Sequence, residues 1–328
     1  MRIQYFLALL GVLVLAACTN SEKEPARIYA ESNGNINNLQ IVMSNDLWEG
    51  RVGEAVRSVF AAPVDGLPQD EPMFNMNQIP PSAFSGFAKY NRTFVQFSQS
   101  DSTYVRYANN PYAKPQLGVF VGAPDKEGLI NTLNEKSEDI IAAIKATEIA
   151  EKQRRINKSL MSTAPLQEKM GVNMLIPTAY RVAKEEDNFL WIRKDIRTGS
   201  LNIIVYEVGL DAIDPNGEVI NNIIKLRDSI GGDNVTVDEG GRFITEEAYA
   251  PFIFESEIDG KFAYETKGTW EVRDKWMAGP FVNYAIRDEA NNRYLIVEGF
   301  TFAPSIDKRD YQFELEAILK SLKFENKS

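Results

Sequence analysis

Cys18 is the only cysteine in the 328-residue sequence, and it stands at the end of an apolar leader rather than in the body of the chain. A domain built from the remainder has no second thiol for a disulfide and no thiolate set for a structural metal, so an ordinary hydrophobic core must hold it together. The material is present: 44% of the residues are hydrophobic and 11% aromatic, and the length allows one large domain or two smaller ones. Histidine is absent altogether. That removes a Ser-His-Asp triad, a Cys-His pair and histidine-ligated zinc or haem, leaving carboxylates, Lys, Tyr, Ser and Thr for any chemistry. No cofactor and no metal are expected.

Residues 1 to 17 join a basic start at Arg2, an apolar run from Tyr5 to Leu15 and a small-residue cleavage zone, the three parts of a secretory signal. The run is shorter than the roughly 20 apolar residues a membrane-spanning helix needs. Leu15-Ala16-Ala17-Cys18 resembles the lipobox of bacterial lipoproteins, which implies removal of residues 1 to 17 and acylation, palmitate included, of Cys18 and the new amino terminus. The alternative is an ordinary signal whose cleavage zone ends in cysteine. Two or more acyl chains make a stable membrane anchor. Thr19, in place of the aspartate that marks inner-membrane retention in such proteins, points to the outer membrane, with the periplasmic face and the cell surface both open. Residues 18 to 38, polar and carrying Pro25 and Gly34, read as the tether.

The formal net charge is −10, and loss of Arg2 makes the mature chain more acidic still. Nucleic acid and an anionic membrane face both call for a basic patch, so neither is an expected partner. The expected partners are the membrane, through the lipid anchor, and an envelope protein or glycan.

Past the tether, hydrophobic periodicity separates strands from helices. "LQIVM" reads as a strand and "SNDLWEGRVGEAVRSVF" as a helix burying Trp48, Val52, Val56 and Phe60. Pro63, Pro68, Pro72, Pro80 and Pro81 then forbid a helix or a central strand over most of the next stretch. It is either a binding loop or a strap over a sheet edge. "RTFVQF", "YVRYA" and "QLGVFVG" read as strands, and Asp125 caps a long helix from Lys126 to about Leu160. Glu148–Lys152 and Glu151–Arg155 lie at helical spacing in its last third, which is expected to meet water. A boundary near residues 165/166 separates a first lobe (39 to 165) from a second (166 to 328). In the second, "VNMLIP", "FLWIRKD" and "LNIIVYEV" are strands, and a helix after Asp214-Pro215-Asn216-Gly217 buries Ile223. "IDGKF" marks a tight hairpin, and a helix from about Lys308 ends the chain. Consecutive strands joined by hairpins, with helices between groups, give an α+β fold with antiparallel sheets and packed helices in both lobes. Residues 79 to 97 and 176 to 192 share an Ile-Pro, an Ala-Lys and a Phe-led strand, a pattern open to duplication or coincidence.

The stretches "SNGNINNLQIVMSNDLWEGRVGEAVRSVFAAPVDGLPQDEPMFNMNQIPPSAFSGF", "YAKPQ" and "EKQRR" resemble a domain-of-unknown-function family of Bacteroidota lipoproteins, over the whole mature chain. The resemblance implies an envelope lipoprotein and brings no activity or catalytic residue. "VNMLIPTAYRV", the hairpin near 281 to 302 and "FELEAILKSLKF" resemble PsbP-type domains. That likeness implies an antiparallel sheet covered by helices, in domains that mostly bind or scaffold.

Several residue groups invite chemistry. Glu246-Glu247, with Asp238-Glu239 upstream, offers the carboxylate pair of a glycosidase, against the plainer reading of a solvated acidic loop. Asp211, Asp214, Asn216 and Glu218 surround a glycine, but Ala212 breaks the calcium-loop spacing and Asp-Pro-Asn-Gly is a good plain turn. Trp48 and Trp191 are expected in the core. Trp270 and Trp276 flank "EVRDK" beside a turn and are expected as a surface pair that stacks on a sugar or peptide. The expectation is a lipid-anchored envelope protein that binds or scaffolds without catalysis. The alternatives are a carboxylate-dependent hydrolase acting on polysaccharide and a carrier of a hydrophobic ligand between the lobes.

Overall fold

The computed structural model describes residues 29–237, 240–273 and 275–325. The signal, Cys18 and the first part of the tether lie outside these residues, as do Asp238 and Glu239. The fold is α+β, with one large sheet in each lobe.

The first lobe contains strand β1 (Asn38–Val42), helix α1 (Arg51–Phe60), strands β2 (Asn75–Ile79), β3 (Thr93–Gln99), β4 (Tyr104–Asn109) and β5 (Leu117–Ala123), and the long helix α2 (Lys126–Ile156). The sheet order is β2-β1-β3-β5-β4. Here the antiparallel expectation fails: β1 runs parallel to β2 and β3, β3 runs parallel to β5, and β4–β5 alone is antiparallel. Helix α1 carries the chain back across the sheet, so β2 starts in the same direction as β1. Consecutive strands β3 and β4 do not pair, because β5 lies between them. Such strands are covered on both faces. Leu39, Ile41, Val95 and Phe97 pack against α1 and α2, while Val42 and Phe94 turn the other way onto Phe84.

Asp125 caps α2 as expected, its Oδ1 accepting the Gly128 N–H at 2.7 Å. The last third of the helix is only partly in water: Arg154 and Arg155 are exposed, and Glu151 holds Arg155 at 2.6 Å as the spacing predicts. Glu148 is fully buried and takes two hydrogen bonds at 2.8 Å from Arg92, one from the Asn37 N–H at 2.9 Å and one from Thr93. Lys152, its expected partner, reaches instead to Glu314 of the second lobe at 2.8 Å. Residues 30 to 38, read as tether, belong to the fold: Ala30–Glu31 pairs with Ala113–Lys114, and Asn37 is buried.

The second lobe contains α3 (Ala164–Met170), β6 (Arg181–Glu186), β7 (Phe189–Ile196), β8 (Gly199–Gly209), α4 (Val219–Leu226), β9 (Phe243–Thr245), β10 (Phe252–Ile258), β11 (Lys261–Val272), β12 (Ala278–Asp288), β13 (Arg293–Phe302) and α5 (Arg309–Leu319). Its eight strands are antiparallel throughout, in the order β9-β11-β12-β13-β8-β7-β6, with β10 also paired to β11. In β8, Leu201, Ile203 and Val205 point toward α5, while Ile204 and Tyr206 point toward α4. Helices on both faces explain why these strands read as nearly unbroken apolar runs. Segments 79–97 and 176–192 differ in pairing, the first feeding a parallel strand and the second an antiparallel hairpin, so they are not structural copies.

The proline-rich stretch is a strap between the lobes. Its ends close on themselves, Val64 N–H to Glu71 O at 3.0 Å and Met73 N–H to Ala62 O at 2.9 Å. At its tip Gly66, with φ at +80°, lies so close to the Lys267–Gly268 backbone that an added Cβ would meet Gly268 N at 2.9 Å. Glu71 is buried and accepts the Lys308 and Arg309 N–H groups at 2.7 and 2.9 Å, capping α5 from the other lobe. Arg309 answers by donating to Pro72 O at 2.8 Å.

Candidate functional site

One end of the second sheet forms an aromatic cavity of about 220 Å³ on its α4 face. Alternation along the strands sends Trp191 from β7, Asn202 from β8, Phe300 from β13 and Trp270 from β11 to this face, where they make the floor. Val235 to Val237 and Met277 lie over it, and Arg193, Ser200 and Phe302 border it. The rings are packed against one another: Trp270 lies 5.2 Å from Phe243 and 5.6 Å from Phe300, centroid to centroid. The Trp270 indole donates to Thr301 O at 3.2 Å, which fixes its orientation.

A short polar line crosses this floor. The Trp191 indole donates to Asn202 Oδ1 at 3.1 Å, and Asn202 Nδ2 donates to Ser200 Oγ at 3.0 Å. Ser200 Oγ accepts that bond and still has its own proton and a second lone pair to offer a guest. Arg193 keeps Nε on Asp195 at 2.8 Å, and among the described residues no hydrogen bond takes up its terminal nitrogens at the border. A mostly apolar concavity with a few convergent donors has the form of a small-ligand site. Its volume exceeds the roughly 150 Å³ that holds benzene, so one ring fits.

Beside this cavity the sheet carries a buried ion pair. Arg227 meets Glu298 at 2.9 Å, donates to Thr245 Oγ1 at 2.9 Å and stacks between Phe243 and Phe281, 4.6 and 3.9 Å from their centroids. Burial pushes the Glu298 carboxyl up, with Arg227 and Asn283 opposing. The pair holds Phe243 in place as a wall of the cavity.

The expected surface pair of tryptophans is not formed. Trp270 is 2% exposed and part of the core, whereas Trp276 is fully exposed next to Met277. β11 runs on to Val272 and β12 begins at Ala278, so Trp270 is still inside β11 and follows its alternation. Trp191, expected in the core, is buried and also lines the cavity. The sequence reading missed Asn202, Ser200 and Phe300. The usable signal was Asn202 itself, a polar residue inside the otherwise apolar "SLNIIVYEV".

Glu246 and Glu247 turn to different neighbours. Glu247 pairs with Arg273 at 2.9 Å in the open. Glu246 contacts Glu271, whose pKa is raised, first by burial and next by that neighbouring carboxylate. Around the Asp214 turn, Asn216 N–H bonds to Asp214 Oδ1 at 2.9 Å, and among the described residues no group of three or more Asp or Glu is placed to hold a metal. Between the lobes, Lys145, Lys267, Gln312 and Glu316 line a cavity of about 40 Å³, room for about three waters and none for a lipid tail. Burial and then Lys267 lower the Lys145 pKa. Burial alone would raise Glu316, but Lys267 and Lys320 overcome it and bring its carboxyl down to about 2. Among the described residues no helix is long and apolar enough to cross a membrane.

Two families of unknown function match this chain. Residues 159–321 match the domain of unknown function DUF4837, and residues 32–157 match DUF8532. A domain of unknown function, expected as one family over the whole mature chain, is thus matched as two, one on each side of residue 158. No curated protein matches. Among solved structures, the Ran-binding protein Mog1p of Saccharomyces cerevisiae is 8% identical with a TM-score of 0.31, over 47% of this chain and 89% of its own. Cyanobacterial PsbP from Synechocystis is 13% identical with a TM-score of 0.33, over 50% of this chain and 89% of its own.

Proposed function

We propose that the protein is a lipid-anchored component of a bacterial cell envelope, of the Bacteroidota lipoprotein type, held at the outer membrane through Cys18, and that its second lobe is a non-enzymatic binding module. The observation that carries the binding role is the aromatic cavity of about 220 Å³ with its Asn202–Ser200 line and Arg193 border. Its walls are fixed before any guest arrives, because Trp191 and Trp270 already spend their indole N–H groups within the protein. A preformed site gains affinity by avoiding ordering costs on binding. The guest that fits is a single ring, such as an aromatic side chain of a partner protein or one sugar unit of a glycan, with an oxygen for Ser200 and Arg193. Exposed Trp276 adds a stacking surface near the mouth.

The test is purification of the tagged, lipidated protein from its native envelope after mild crosslinking, beside Cys18→Ala, Asn202→Leu and a catalytically motivated Glu246→Gln. A stoichiometric protein or glycan partner, retained by Glu246→Gln and lost with Asn202→Leu, is the expected result. Incorporation of a palmitate label that vanishes in Cys18→Ala checks the anchor. Recovery of an identical partner set with Asn202→Leu refutes the cavity as the binding site. The hydrolase reading has one observation in its favour, the Glu246–Glu271 contact with its raised carboxyl. Polysaccharide hydrolysis by the purified protein, lost in Glu246→Gln, would establish it.

A further inference from the structure

The two edges of the second sheet are built differently. The outer strand at one edge, β6, reads "RVAKEE" and exposes Arg181, Glu185 and Glu186, with Lys184 alongside, the charged dressing that keeps an edge from pairing with other chains. At the other edge β10 reads "FIFESEI", and Phe252, Ile253 and Phe254 are all more than a third exposed. Near its start Tyr249 is 70% exposed. An edge carrying that much apolar surface is a template for a further strand.

The backbone of β10 is oriented for one. Asp259 and Gly260 have φ of +51° and +74°, the two left-handed residues of a type I′ turn. In such a hairpin the flanking residues, Ile258 and Lys261, form a hydrogen-bonded pair, and these pairs alternate along the strand. Phe252, Phe254, Ser256 and Ile258 therefore bond inward to β11. Ile253, Glu255 and Glu257 point their N–H and C=O groups outward, and among the described residues nothing takes them up.

We propose that β10 is a docking edge that an extended segment of a partner protein joins as an added strand, with Lys or Arg alternating with apolar residues. Main-chain bonds to Ile253, Glu255 and Glu257 supply the pairing, and side-chain pockets supply the choice of sequence. Glu255 and Glu257 form no ion pair among the described residues, so the segment must bring basic residues opposite them. On the opposite face Phe252 and Phe254 stack in parallel, 6.4 Å apart, as a ledge for apolar side chains. This ledge runs into an open groove of about 270 Å³ between Leu67 and Pro68 of the strap and Tyr249 and Phe252. A second copy fits poorly: the register that pairs all seven residues of two β10 strands centres on Glu255 and sets it against its own copy. An anionic bilayer is disfavoured by the same glutamates.

The edge is separate from the aromatic cavity, and the test leaves the cavity intact. The mature chain with Cys18→Ala is mixed with a capped peptide, Lys-Val-Lys-Phe-Lys-Val-Lys, or with its glutamate counterpart, and amide exchange is followed residue by residue. The basic peptide should slow exchange at Ile253, Glu255 and Glu257 at least tenfold, leave Phe254 and Ser256 unchanged, and lose its effect in high salt. Glu255→Lys with Glu257→Lys should reverse the peptide preference. Glu255→Pro removes one outward N–H without touching a bond to β11, and should abolish protection while the fold survives. Absence of protection with the basic peptide, or equal protection by both peptides, overturns the proposal. So does dimerisation in sedimentation that Glu255→Pro abolishes, or retention on phosphatidylglycerol vesicles that Phe252→Ser abolishes.

Discussion

Removing the Glu71 side chain should uncouple the two lobes. In the folded protein both carboxylate oxygens are committed, to the Lys308 and Arg309 N–H groups at 2.7 and 2.9 Å, in a site where Glu71 is buried. Glu71→Ala leaves two N–H groups at the first turn of α5 without their acceptor, and takes a negative charge from the positive end of that helix. An N-cap replaced by alanine costs about 1 kcal/mol, a buried donor left unmet about 1–3 kcal/mol, and the helix-end charge up to about 1 kcal/mol. These overlap, so the expected loss is about 2–4 kcal/mol, a roughly 30- to 800-fold rise in the opening equilibrium at about 1.4 kcal/mol per decade. Glu71→Gln keeps one acceptor oxygen and should lose about half as much. Urea unfolding measures the total. Amide exchange at residues 308 to 312 measures the local share, and in Glu71→Ala those amides should exchange before the core of either sheet. A loss below about 0.5 kcal/mol, or unchanged protection at Lys308 and Arg309, would refute the clamp.

Three further outcomes are expected. Glu316 sits half-buried with its carboxyl brought down to about 2 by Lys267 and Lys320; a depressed folded pKa contributes stability above the unfolded value near 4.5 that is lost as pH falls toward 2. Unfolding free energy should therefore drop by on the order of 3 kcal/mol across that window, and Lys267→Met should shrink the drop. Trp270→Ala should cost about 3–5 kcal/mol in thermal or urea unfolding, and Trp276→Ala less than about 0.5 kcal/mol; acrylamide should quench Trp276 readily and Trp270 hardly at all. Glu148→Leu alone takes the nearest carboxylate from the buried Arg92, which keeps Gly34 O, Asn35 O and Glu151 at 4.0 Å, and should lose about 3–5 kcal/mol, while Arg92→Met with Glu148→Leu should recover part of it, as a double-mutant cycle would read directly.

The elements were legible because their signals are local. The Asp125 cap, the Asp259-Gly260 turn, the apolar strands of the second lobe and the final helix each rest on a few neighbouring residues. Partnership was legible only in part: Glu151–Arg155 forms as its spacing predicts, at 2.6 Å. Glu148–Lys152 has good helical spacing, yet Glu148 is buried against Arg92, far away in sequence, because α2 lies across the sheet at that point. The cavity was half visible: Trp191, Trp270 and Trp276 were singled out, but which of them meets solvent depends on where β11 ends.

The sequence alone determined the absence of a disulfide framework and of imidazole chemistry, the α+β alternation, and the strap as a segment unable to be helix or central strand. These follow from residue identity and from spacing over a few residues. Tertiary structure decided that the first sheet is largely parallel, that the strap caps a helix of the other lobe, that Trp270 is wall and Trp276 is surface, and that β10 is left at an edge. Each depends on which element lies beside which, and that is fixed by how apolar faces far apart in the chain are covered together.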